Sequence, residues 1–203
     1  MTLINARAGT RTAAVLPVGP LLTVPNGITL ARTLAAVTVG VVAVAAGSLT
    51  LTAVAYAIYW IGDMLDGAVA RWLGQETRAG AVFDIIGDRA CTAVLCTGLV
   101  ALVPGVAPVA VVFLPSFMVL DTMLSLAFLC WPVLGPNDFH RVDRRIWRLN
   151  WSPAAKAVNT AGVVAAVALG QYTVALVVAV MVVAVKVWSA VAIGRRLGRD
   201  GRA

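Results

Sequence analysis

The chain is short of acid. Nine of its 203 residues are Asp or Glu against sixteen Lys or Arg, and charge of either sign accounts for only 12% of it. A soluble domain carries about a quarter charged residues. With 61% hydrophobic residues and a mean hydropathy of +0.92, the composition excludes a water-solvated surface over most of the chain and marks an integral membrane protein. Histidine is nearly missing. The single one, His140, falls in a polar stretch and reads as an exposed polar residue, not a ligand. Cys91, Cys96 and Cys130 have no metal-ligand spacing and fall inside apolar helical runs, which leaves core packing as their role. No internal repeat is visible, and small residues are so common that small-xxx-small pairs specify no helix partner. The first 24 residues lack an unbroken apolar run of signal-peptide type, because Pro17, Gly19 and Pro20 interrupt Ala13–Leu22. They are expected to stay uncleaved and to lie at the cytoplasmic surface.

What remains is a series of long apolar runs. A span needs about 20 residues, so the length accommodates about six transmembrane helices and one domain, 1–203. The predicted spans are 26–47, 49–71, 79–103, 107–133, 153–169 and 171–194, broken at Gly47-Ser48, at Gly74-Gln75-Glu76-Thr77, at Pro104-Gly105, after Gly135 and at Gly170. Arginine sets the orientation. Arg7 and Arg11 precede the first span, Arg71 and Arg78 flank the second loop, Arg141, Arg144, Arg145 and Arg148 fill the fourth, and Arg195, Arg196, Arg199 and Arg202 follow the last, while the other three connections are uncharged. By the positive-inside rule both termini face the cytoplasm. The formal net charge of +7 therefore reflects topology and attraction to anionic headgroups, and no nucleic acid partner is expected.

Four of the nine acidic residues stand close together, as Asp63-x-x-Asp66-Gly67-x-x-Ala70-Arg71 and then Gly80-x-x-x-Asp84-x-x-x-Asp88. Residues three or four apart share a helix face, so each pair projects to one side of its helix, and a short turn between the helices brings the four carboxylates together at the cytoplasmic end. Carboxylate oxygens are hard ligands suited to Mg²⁺ or Mn²⁺. Unneutralised, four like charges in a small volume repel one another, and inside a membrane each is costly. Pairing with Arg71, Arg78 and Arg89 as ordinary helix-end charges is the bland alternative, but it explains neither the spacing nor the glycines.

The pattern resembles the signature of the CDP-alcohol phosphotransferase family of membrane enzymes. That resemblance implies two divalent ions, Mg²⁺ or Mn²⁺, held by Asp63, Asp66, Asp84 and Asp88, a CDP-linked lipid gripped by its pyrophosphate, and Asp88 as general base toward an acceptor hydroxyl. It also implies a homodimer, and the arginine placement puts the active site on the cytoplasmic face of the cell membrane. Gly67 and Ala70 keep a helix face clear for a nucleotide, Arg71 can fork two donors onto a phosphate, and Gly80 is expected to let the third helix approach the second. Upstream, Pro25-Asn26-x-x-Thr29-x-x-Arg32 resembles the opening of the first helix in bacterial phosphatidylglycerophosphate synthases. Asn26, Thr29 and Arg32 share a stripe and join the CDP-lipid set, Arg32 pairing with substrate phosphate or with an aspartate.

The acceptor side is less marked. The stretch from Asp138 to Leu149 places Phe139, Val142, Ile146 and Leu149 on one helical stripe, an amphipathic segment able to lie in the membrane interface. Its Arg141, Arg144, Arg145 and Arg148 can collect a phosphorylated acceptor or simply headgroups. Lys156, with Asn159 and Thr160, opens the next helix near the place where those synthases carry a Lys-Thr element. The acceptor indicated is glycerol 3-phosphate, with inositol phosphate, serine or phosphatidylglycerol as alternatives. Two departures bear on this choice: Asp84-Ile85-Ile86-Gly87-Asp88-Arg89 stands where those synthases read Asp-Pro-x-Ala-Asp-Lys, and the Ala-Arg-Ala-Glu segment associated with inositol-phosphate acceptors is missing. A divalent-cation carrier is the alternative class, but it needs acidic groups near the midplane reachable from both sides, and the quartet crowds one face. Asp121 and Lys186 lie deeper, and a mutual ion pair is the economical reading of the two, with their roles left open. Trp72, Trp131, Trp147 and Trp151 suit an interfacial aromatic belt.

Overall fold

Residues 16–200 are described by a computed structural model, and among them every regular element is a helix. Arg7, Arg11, Arg202 and most of the 1–24 surface segment lie outside the described residues.

The first three helices follow from clear stop and start signals. Helix α1, Val24–Ala45, has Pro25 in its first turn, where a missing N–H costs nothing, and Thr23 as N-cap accepting from the Asn26 amide. Ser48 caps helix α2, Leu49–Leu73, in the same way. Gly74 ends α2 in the left-handed region at φ 62°, which glycine adopts without strain, and the Gln75 amide returns to the Ala70 carbonyl at 2.9 Å. Thr77 then caps helix α3, Arg78–Leu102, accepting from the Gly80 amide at 2.9 Å. This short link makes α2 and α3 antiparallel neighbours, and α1 packs along both.

Helix α4, Pro104–Cys130, is not uniform. Pro115 lacks the N–H needed to continue the ladder, and the next turn, Ser116–Asp121, is widened to a π-helical turn before the α-helix resumes at Thr122. After a three-ten stretch at Pro136–Arg141 comes the short helix α5, Arg144–Asn150, then helix α6 over 153–168, itself widened at Ala157–Gly162, and finally helix α7, Tyr172–Asp200. Val24–Ala45, Arg78–Leu102, Pro104–Cys130 and Tyr172–Arg199 are long and apolar enough to cross a membrane. In α2 the charges of Asp63, Asp66 and Arg71 lower its hydropathy, and α6 is short for a span.

Two apolar cores tie the second half to α3. At the end of the bundle where α2 meets α3, Ile85, Leu124, Phe128, Val133, Phe139, Ile146, Trp151 and Ile193 form one cluster. Val106, Val109, Val163, Ala166 and Ala175 form another beside Leu99 and Tyr172 at the opposite end.

Four expectations are corrected here. The 138–149 stripe is not one interfacial helix: Asp143 breaks it by capping α5 with its side chain on the Arg145 and Ile146 amides. Its apolar residues Phe139 and Ile146 are buried in the protein core instead of facing lipid. Trp151 belongs to that core too, unlike the exposed Trp72, so it is no belt residue. Cys130 is exposed, not packed inside. The last helix continues past 194, which places Arg195, Arg196 and Arg199 on helix α7.

Candidate active site

The four aspartates sit on the turns flanking the α2–α3 link, and the structure brings them together. One carboxylate oxygen each from Asp63, Asp66 and Asp84 lies within 4.8 Å of the other two. Asp88, one turn beyond Asp84, joins them through Arg32 of α1. The Arg32 guanidinium touches every member: Nε donates to Asp66 Oδ2 at 2.8 Å, and Nη2 reaches Asp84 at 2.5 Å, Asp88 at 3.1 Å and Asp63 at 3.3 Å. The quartet's protein partner is thus Arg32, not Arg71, Arg78 or Arg89.

Arg32 can be there because α1 and α2 cross without a side chain between them. A Cβ on Gly62 would stand 2.5 Å from the Arg32 Cβ, closer than atoms pack, so glycine is required for this approach. Gly87 does the same between α3 and α1, since a Cβ there would meet Thr33 Oγ1 at 2.8 Å. The Tyr59 ring, one turn before Asp63, lies 5.5 Å from the guanidinium carbon of Arg32. Sequence reasoning does not single out Gly62, Gly87 or Tyr59. Their places one turn from, or beside, an aspartate are the signal that was there to use.

The donor set fits a divalent ion. All ligand atoms are oxygen, and an octahedral Mg²⁺ with ligands at about 2.1 Å holds opposite oxygens about 4.2 Å apart, so small rotations suffice for shared ligation. Charge points the same way. Four carboxylates against one guanidinium leave an excess of negative charge in a region flanked by apolar helices, and a buried unpaired charge is expensive.

The remaining expected site residues divide. Thr29 donates to Asp66 Oδ2 at 2.7 Å, whereas Asn26 donates to the Leu21 carbonyl at 2.7 Å. Gly80 faces α1 and not α2, because a Cβ there would stand 2.8 Å from Asn26 Oδ1. Arg71 is exposed and folds back over its own helix, with Nη1 3.3 Å from where a Gly67 Cβ would be, so Gly67 makes room for this guanidinium. Ala70 lies in the last turn of α2. Arg78 is buried and structural, donating to the Leu16 carbonyl at 2.9 Å and the Leu129 carbonyl at 2.7 Å.

On the acceptor side, Lys156 is exposed at the start of α6, donates to Asn137 Oδ1 at 3.1 Å, and lies within electrostatic reach of Asp63. The arginines do not converge. Arg145 stacks over Trp188 with its guanidinium carbon 4.7 Å from the ring centroid, Arg141 reaches Asp138 at 4.0 Å, and Arg144 and Arg148 are exposed on α5. His140 is exposed, as expected.

Deeper in the bundle Lys186 is ion-paired with Asp121, as its depth predicts, and Arg89 makes the pair a triad. Arg89 Nη2 donates to Asp121 Oδ2 at 2.6 Å and Nε to Thr122 Oγ1 at 2.8 Å, with the Phe117 ring centroid 3.7 Å from its guanidinium carbon. The widened turn of α4 delivers Asp121 and Phe117 to this contact, linking α3, α4 and α7.

Comparison with known proteins agrees with this geometry. The phosphatidylinositol phosphate synthase of Mycolicibacterium smegmatis (strain ATCC 700084 / mc(2)155) is 41% identical over 75 residues, which cover 37% of this chain and 34% of that protein. The match thus spans about a third of the relative's length. No solved structure matches. The family model for CDP-alcohol phosphatidyltransferases matches residues 22–193, from the cap of α1 through the quartet and far into α7. Match and site together place this chain in the CDP-alcohol phosphatidyltransferase family of membrane enzymes.

Proposed function

We propose that the protein transfers a phosphatidyl group from CDP-diacylglycerol to an alcohol acceptor and releases CMP. The observation that carries this reading is the convergence of Asp63, Asp66, Asp84 and Asp88 at the α2–α3 link, inside the matched region. Asp63, Asp66 and Asp84 are chiefly metal ligands, and Asp88 contributes to the site as well. Two ions, Mg²⁺ or Mn²⁺, would neutralise the pyrophosphate and the charge developing on CMP. Asp88 takes the proton of the acceptor hydroxyl, whose oxygen attacks the phosphorus on the diacylglycerol side as the bond to CMP breaks. Arg71, folded over Gly67, is the side chain we assign to the nucleotide phosphates. Arginine placement supports six spans, with both termini and the active site on the cytoplasmic side of the cell membrane, and the family resemblance supports a homodimer.

The acceptor is a phosphorylated polyol. Glycerol 3-phosphate follows from the likeness of the α1 motif to phosphatidylglycerophosphate synthases, and inositol phosphate is favoured by the name of the mycobacterial relative. Lys156, within electrostatic reach of Asp63, is the favoured cation on this side, and Arg141, Arg144, Arg145 and Arg148 are the further candidates. The test supplies purified protein with CDP-diacylglycerol, Mg²⁺ or Mn²⁺ and each acceptor in turn, then identifies the lipid formed. One of the two should yield a new phospholipid. Lys156→Ala should then raise the KM for that acceptor roughly ten- to a hundredfold, the cost of a charge-assisted bond, and leave the KM for CDP-diacylglycerol nearly unchanged. No phospholipid from any acceptor would defeat the proposal, and product from serine would remove the reason for a basic acceptor pocket.

A further inference from the structure

Asp66 differs from the other aspartates. Its side chain is 6% exposed, whereas Asp63, Asp84 and Asp88 are 38, 40 and 23% exposed. Both short bonds it receives, from Thr29 Oγ1 at 2.7 Å and Arg32 Nε at 2.8 Å, converge on a single oxygen, Oδ2. The Thr29 hydroxyl has a second acceptor within reach, the Pro25 carbonyl at 3.2 Å, but it has one proton, and the shorter, charge-assisted bond is the stronger. The donors are themselves immobile. Thr29 and Arg32 are buried one turn apart on α1, the Arg32 stem is set against Gly62, and its guanidinium also spans Asp63, Asp84 and Asp88.

We propose that Thr29 and Arg32 are positioning residues for the metal site. They hold Asp66 by Oδ2, so that this carboxylate offers its other oxygen to a divalent ion in a fixed direction, and Arg32 draws the more exposed Asp63, Asp84 and Asp88 toward the same point. Outer-shell partners of this kind fix ligand orientation and typically change metal affinity 10–100-fold when removed. The inference rests on the metal-dependent reading above, and it assigns to Thr29 and Arg32 a task other than contact with the substrate phosphate. Arg32 commits Nε and Nη2 to the four carboxylates, and its Nη1 is buried without a hydrogen-bond partner.

The experiment measures Mn²⁺ binding to the purified full-length protein by electron paramagnetic resonance or calorimetry with no lipid present, and separately the KM for CDP-diacylglycerol at saturating metal. Thr29→Val, which keeps shape and loses the hydroxyl, should weaken Mn²⁺ binding by about 10–100-fold, and Thr29→Ser should restore it to within a few-fold. Arg32→Lys, which keeps the charge and loses the fork, should weaken it at least as much. At saturating metal the KM for CDP-diacylglycerol should rise by a smaller factor than the loss of Mn²⁺ affinity in each. If Arg32→Lys fails to fold, the Thr29 pair decides alone. Wild-type Mn²⁺ affinity in Thr29→Val overturns the inference, as does a rise confined to the lipid KM, which would make these residues substrate contacts. Failure of the unaltered protein to bind Mn²⁺ would instead overturn the metal-dependent reading itself.

Discussion

At the scale of single residues, the quartet is four copies of one side chain in unlike surroundings. Asp66 is enclosed and doubly bonded, Asp63 and Asp84 are more open, and Asp88 adjoins Arg89, which is committed to Asp121 and Thr122. Unlike surroundings imply unlike tasks. Asp88→Asn should leave CDP-lipid binding largely intact and abolish turnover, because an amide preserves shape but is a poor proton acceptor. Asp63→Asn should weaken metal and nucleotide binding as well. Equilibrium binding of a CDP-lipid to both variants, beside their rates of CMP release, checks this, and equal loss of binding in the two would remove Asp88 from the role of base. The aspartates were legible in the sequence because spacing on a helix is enough to make them converge. The role of Arg32 was only half legible: its stripe was visible, but that one guanidinium meets all four carboxylates depends on how α1 lies across α2 and α3, which no local pattern encodes.

At the scale of helices, caps and breakers were readable. Thr23, Ser48, Gly74 and Thr77 stand where α1, α2 and α3 begin or end, and the helices differ from the predicted spans by only a few residues. Helix contacts were not readable, since glycine and alanine recur on many faces and only the assembled bundle shows which of them a neighbour occupies. Gly62 is such a case. Gly62→Ala should force α1 away from α2, costing roughly 1–3 kcal/mol by overpacking, and should lower the thermal midpoint in detergent together with Mn²⁺ affinity. An unchanged midpoint and affinity would mean that the α1–α2 crossing yields cheaply. The 138–149 stripe misled for a related reason: its period is helical, but Asp143 is a strong N-cap, and a protein core competes with lipid for Phe139 and Ile146.

At the scale of the molecule, a chain with nine acidic residues places four of them at one end of a helical bundle and a fifth, Asp121, in a deeper ion triad. The Asp121 carboxylate is matched from within, by two cations. The quartet is not, since Arg32 balances only part of its charge. That imbalance is the physical centre of the functional reading, because it calls for bound cations and locates where they act. The most direct measurement follows CMP release and phospholipid formation from CDP-diacylglycerol by the purified protein, with a phosphorylated polyol as acceptor, first in Mg²⁺ or Mn²⁺, then in excess chelator, then after metal is restored. The account predicts that both products appear together, vanish with the chelator and return with the metal. Turnover that continues undiminished in the chelator would contradict it.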